Sequence, residues 1–147
     1  QNIGARKAER IFPGLRAGMV IGSVYSVLAL LLILFFGRPM MLLFVDSSET
    51  VIIAQAYQFM VIQAAFFIPL AGVNVIRLLV QGMGYSKLAM FAGVFEMIAR
   101  GAFGLFLVPR FGFLLACFAS PMAWLLADAF LIFAYCRVMR HVRQFGR

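Results

Sequence analysis

Four long apolar runs, separated by short polar breaks, dominate the chain. The first predicts a helix from about Gly14 to Phe36. The second runs from about Ala54 to Val80, the third from about Lys87 to Val108, and the fourth from about Gly112 to Tyr135. Each is long enough to cross a hydrocarbon core of roughly 30 Å at about 1.5 Å per residue. Between the first two runs lie Gly37-Arg38-Pro39, a short apolar stretch from Met40 to Val45, and Asp46-Ser47-Ser48-Glu49. Asp46 or Ser47 can cap a new helix there, with Glu49 placed as in a capping box. The turns after Glu49 are expected at the membrane surface, leading into the second run.

Within the runs, small and polar residues fall into stripes. Gly14, Gly18, Gly22 and Ser26 recur every four residues in the first helix. Such a stripe lets a second helix approach closely, within this chain or in a homodimer, and internal packing is the favoured reading. The second helix carries Gln63, Phe67, Leu70, Asn74, Arg77 and Gln81 along one side. Pro69 interrupts it, and either a structural bend or a hinge can follow. In the third, Ala89, Gly93, Glu96, Arg100 and Gly104 form an inward face. Phe91, Phe95, Ile98, Ala102 and Phe106 form a face toward lipid.

Composition supports the same class. Of 147 residues, 65 % are hydrophobic and only 12 % are charged, with a mean hydropathy of +1.02. So few charges cannot cover a soluble domain of this size. The fold class is therefore an all-α, polytopic membrane helix bundle of about four transmembrane helices. The net charge of +8 sits at helix ends, which points to headgroup anchors and not to nucleic acid. Arg6, Lys7, Arg10 and Arg16 precede the first run. Lys87 lies at the turn after the second, and Arg137, Arg140, Arg143 and Arg147 follow the fourth. The excess of basic residues on that side predicts an inner (plasma) membrane protein with both chain ends cytoplasmic. No initiator Met opens the chain, so it is expected to be a fragment whose N-terminal part is missing.

Charges buried within the runs mark the candidate site. Glu96 and Arg100 stand one helical turn apart, in the favourable order for an i,i+4 ion pair. A single charge at such depth is costly by about 2.5–3.5 kcal/mol on insertion scales. Pairing and exposure to a polar transport cavity both explain its retention. Asp128, in the fourth run below Ser120-Pro121 and Trp124, can pair with Arg100 or Arg77 or serve as a proton or cation site. The pathway candidates are Glu96, Arg100, Asp128, Asn74, Arg77, Gln63 and Trp124. No catalytic set is present: there is no Ser-His-Asp group, no Cys/His pair and no phosphate loop, so no enzyme is expected. Gly82-Met83-Gly84 reads as a turn. No cofactor or resident metal is expected either. Cys117 and Cys136, roughly 28 Å apart on one helix, are expected to be small, buried and reduced.

Four segments resemble multidrug and toxic compound extrusion (MATE) transporters. The opening Gln1 to Arg10 is similar to the QNxGAxxxxR segment that ends the second or eighth helix of that family. Arg77 to Lys87 is similar to the RxxxQGxGxS turn after the tenth, Glu96 to Arg100 to the E-x-x-x-R of the eleventh, and Ser120 to Trp124 to the SPxAW of the twelfth. The resemblance implies a twelve-helix protein of two six-helix lobes that exchanges Na⁺ or H⁺ for organic cations by alternating access. Residues 1–147 would be the end of helix eight and helices nine to twelve of the C-lobe, with the N-lobe absent. Expected partners are the lipid bilayer, cationic amphipathic small molecules and the missing lobe. The acid many members carry in the tenth helix falls here at about Leu70, so the upstream lobe, Glu96 or Asp128 must supply a coupling carboxylate. A lipid-linked sugar or polysaccharide flippase of the same superfamily, using Arg77 and Arg100 on a pyrophosphate, and a small non-transporting four-helix protein are the alternatives.

Overall fold

A computed structural model describes residues 2–5 and 7–145, with side chains through Val142. The expectations for Gln1, Arg6 and Arg147, and for the side chain of Arg143, lie outside the described residues. Among the described residues every regular element is helical. After a short 3₁₀ turn, Ala8–Arg10, come α1 (Ile11–Met41), α2 (Thr50–Ala65), α3 (Phe67–Gly82), α4 (Ser86–Ala102), a π-helical segment Phe103–Leu107, α5 (Val108–Phe111) and α6 (Phe113–Phe145). Three spans are long and apolar enough to cross a bilayer: Ala8–Met41, Ser86–Phe111 and Phe113–Val142. The α2–α3 pair, bent by 50°, makes a fourth if it is a single broken span.

The second run is thus two helices and not one. Pro69 has no N–H to donate to the carbonyl of Ala65, and its ring crowds that carbonyl. α2 ends at Ala65 and Phe66 leaves helical geometry at φ −105° and ψ 17°. α3 restarts at Phe67, which puts Pro69 in a first turn, where a missing donor does no harm. The ring of Phe66 sits edge-on to Phe118 of α6, with centroids 6.1 Å apart, and anchors the break. The third run is also interrupted. Pro109 perturbs the carbonyls one turn before it, and the chain absorbs the mismatch as a π segment ahead of α5.

α1 runs beyond the expected end at Phe36. Gly37 is buried beneath the ring of Tyr57 from α2, with 2.9 Å between the ring and the place a Cβ would occupy. Arg38 lies over the same ring, 5.5 Å from its centroid, and the Tyr57 hydroxyl donates to the Leu34 carbonyl at 3.3 Å. These contacts hold the Gly-Arg-Pro segment helical. The expected helix cap after it does not form: α2 starts with no side-chain cap. Asp46 Oδ1 instead accepts from the Ser48 amide at 2.9 Å and its hydroxyl at 2.8 Å, an Asx turn. Those two donors, the amide first, hold the Asp46 carboxyl below the usual carboxylate range.

The core lies where α3, α4 and α6 meet: Val73, Ile76, Val80, Ala92, Trp124, Ala127 and Leu131. α1 packs on the other side of α3 through its small-residue stripe, with Gly18 against Val75 and Gly22 against Ala71. The stripe therefore serves internal packing. Gly14, at its end, has no neighbour within 4 Å of a Cβ position. The large side chains left outside, among them Phe35, Leu105 and Phe106, are suited to lipid.

The turn between α3 and α4 follows from Gly84. The Tyr85 amide donates to the Val80 carbonyl at 3.2 Å and the Gly84 amide to the Gln81 carbonyl at 3.0 Å. That is a Schellman motif, and it sets Gly84 at φ 92°. Gly82, two residues earlier, is helical with open space around it. Gly84→Ala is expected to lower stability by about 1–2 kcal/mol, whereas Gly82→Ala is expected to be neutral or stabilising. Thermal unfolding in detergent micelles compares them, and equal effects would contradict the turn assignment.

Candidate functional site

Glu96 is the centre of a three-residue ion network. It projects from α4 toward α3, where the Arg77 guanidinium bonds its Oε1. Arg100, one turn further along α4, donates to Oε2 at 3.1 Å. The Glu96 side chain is 13 % exposed, against 28 % for Arg77 and 48 % for Arg100. The i,i+4 pair expected within α4 therefore forms, but its more buried partner comes from another helix. Arg77 and Glu96 are 19 positions apart in sequence; only the α3–α4 hairpin turn at Gly84 brings them together.

The buried face of α4 differs from the expected stripe. Ala89, Ala92 and Ala99 are buried, Gly93 and Glu96 are half-buried, and Arg100 and Gly104 are exposed. Alanine spaced by three and seven lets α6 settle against α4 with little side-chain volume between the backbones. On the outward face, Phe91, Ile98 and Phe106 are exposed as expected. Phe95 is exposed as well, and its ring tilts against that of Phe130 of α6, with centroids 4.7 Å apart.

Asp128 lies at the neighbouring α3–α6 interface and pairs with neither Arg77 nor Arg100. Its Oδ1 is buried with no hydrogen-bond partner among the described residues. The carboxylate presses on Gly72 of α3, where a Cβ would stand 2.9 Å from Oδ1 and 3.1 Å from Oδ2. Nothing local in the sequence marks Gly72 as the residue beneath this carboxylate. Arg77 also keeps one buried atom without a partner, Nε. The α3–α4–α6 junction thus holds one unused donor and one unused acceptor.

The remaining candidates lie elsewhere. Gln63 of α2 donates to the Cys117 carbonyl of α6 at 3.0 Å, tying the broken span to α6. Asn74 points away from the network and donates to the Leu70 carbonyl, one turn back, at 2.9 Å. It borders a groove of about 490 Å³ between α1 and α3, with Tyr25, Ser26 and Phe67. Trp124 is 7 % exposed and belongs to the hydrophobic core, with its ring 6.5 Å from that of Phe67; it is not part of a polar stripe. Cys117 is buried as expected, but Cys136 is exposed. Among the described residues, no three His, Cys, Asp or Glu side chains gather as a metal site.

The basic residues collect at one end. Arg10 lines a cleft with Leu78, Gly82 and Met83 at the foot of α3. Tyr85, at the start of α4, meets His141 of α6 edge-on at 6.5 Å, and Arg137 and Arg140 border the cleft beside them. The opening segment, the α3–α4 turn and the basic end of α6 therefore share one end of the bundle.

The family model MatE matches residues 1–106. The chain belongs to the MatE family of membrane transporters. The match takes in α1 to α4, with the Arg77–Glu96–Arg100 network and the Gly84 turn, whereas Ser120 to Trp124 and Asp128 lie beyond it. No curated protein and no solved structure matches the chain.

Proposed function

We propose that this MatE chain is the closing part of a secondary antiporter that exports organic cations in exchange for Na⁺ or H⁺. In this reading, residues 1–147 are the end of helix eight and helices nine to twelve of a two-lobed, twelve-helix protein. An upstream lobe completes the solute path. The observation that carries the reading is the Arg77–Glu96–Arg100 network with Asp128 beside it: Glu96, Arg100 and Asp128 lie on spans long enough to cross a bilayer, and Arg77 on the bent α2–α3 pair. Charges kept at such depth pair with each other or face a wet cavity, and Arg100, half exposed, is the member placed to face one. The gathering of Arg10, Lys87, Arg137 and Arg140 toward one end supports a plasma-membrane orientation with that end in the cytoplasm.

The test is efflux of cationic dyes from vesicles, comparing this chain with the same chain joined to its upstream lobe. Gradient-driven efflux is expected only with both lobes, and Glu96→Gln is expected to reduce it at least tenfold. Efflux at full rate by the 147-residue chain alone would favour a self-assembling four-helix transporter. Movement of lipid-linked oligosaccharide in place of dye would favour the flippase.

A further inference from the structure

We infer that Asp128 is the proton-carrying carboxylate of this pathway, and that Glu96 is a fixed ion-pair anchor. The inference deepens the antiport reading and rests on it for its role in transport. Three observations divide the two acids. Glu96 accepts from two guanidinium groups, Arg77 and Arg100, so its charge is compensated where it stands. Asp128 Oδ1 is buried with no partner, and an ionised oxygen in that position is strongly disfavoured within a membrane. A proton removes the charge without needing a ligand shell.

The third observation is the lack of room. With both oxygens within 3.1 Å of the Cβ position of Gly72, the carboxyl group lies directly on the α3 backbone. A sodium ion needs several oxygens around it, and among the described residues no group of three His, Cys, Asp or Glu side chains gathers at Asp128. The charged groups on the helices packed against α6 are Arg77 of α3, Lys87, Glu96 and Arg100 of α4, and Arg110 of α5, with Lys87 and Arg110 at the two ends of their span. The residues of α6 itself on that face, Trp124, Ala127 and Leu131, are apolar. When Asp128 releases its proton, the carboxylic acid becomes a carboxylate. The unpartnered Nε–H of Arg77 is the donor left at the same junction to meet the new charge.

Infrared spectroscopy of the purified chain in lipid vesicles tests this. At mildly acidic pH the spectrum is expected to contain the C=O stretch of a buried carboxylic acid, fading as the pH is raised. The chain has two aspartates, and Asp46 is in an exposed turn. Labelling aspartate carboxyls with a heavy isotope should therefore shift the band in the unsubstituted protein, and labelling glutamate should not. Asp128→Asn should abolish the band, Glu96→Gln should leave it, and Gly72→Ala should move its frequency. Absence of the band, its shift on glutamate labelling, or its survival in Asp128→Asn would overturn the assignment. Loss of the band on replacing potassium with sodium would also overturn it, in favour of a sodium site. Dye efflux in the two-lobed protein is read separately. If the band is present but efflux is absent, transport fails and the protonated Asp128 stands. If efflux is present without the band, the proton assignment alone fails.

Discussion

Glu96→Gln is expected to destabilise the bundle by about 3–5 kcal/mol, the range for breaking a buried ion pair by removing one partner. The loss is large because the substitution leaves two arginines within membrane spans, with Arg77 the more buried. Arg77→Gln should do less damage, since Glu96 keeps Arg100. Arg100→Gln should change stability by only about 0–1 kcal/mol, as for exposed pairs, because its side chain is 48 % exposed. The Arg77→Gln, Glu96→Gln double variant should be more stable than the sum of the single effects implies, because no interhelical charge is left unpaired. Unfolding in mixed micelles supplies all four values. Strict additivity of the Arg77 and Glu96 losses would show that the α3–α4 contact carries no coupling.

The second large effect is expected in the α1–α3 seam. A Cβ on Gly22 would stand 2.9 Å from the Ala71 Cβ. That atom is fixed to the α3 backbone, so no flexible side chain can move aside. Gly22→Leu should therefore push α1 off α3, at a loss of at least the 1–3 kcal/mol typical of overpacking. Gly14→Leu, at a position with nothing within 4 Å, should be tolerated. A cross-link between cysteines placed at Gly18 and Val75 reports the separation. Efficient cross-linking in Gly22→Leu, equal to that in Gly14→Leu, would mean that the seam does not depend on the glycine.

Pattern alone carried the reading far where the signal repeats along one helix. Apolar runs of spanning length identify a membrane bundle, because hydrocarbon leaves helices as the way to satisfy every backbone group. The four-residue stripe on α1 identifies a packing face, and four spaced motifs together resemble MATE transporters. It fell short where a result depends on which atoms another helix supplies. Pro69 signalled a disturbance, but that α2 stops at Ala65 also rests on Phe66 finding Phe118 across the interface. The extension of α1 past Gly37 depended on Tyr57, which is 20 positions away, so the local Gly-Arg-Pro signal was overridden.

The charged site divides along the same line. Which residues are ionisable within the spans, and that Glu96 can reach Arg100, follow from composition and helical spacing, since i,i+4 geometry is the same in any α-helix. That Arg77 is the closer partner of Glu96, that Trp124 belongs to the core, and that Asp128 rests on Gly72 without a partner depend on how α3, α4 and α6 turn about their axes when they pack. Rotation is set by the summed fit of many side chains across three interfaces. Tertiary structure alone therefore decided which buried carboxylate is compensated and which has an oxygen without a partner among the described residues.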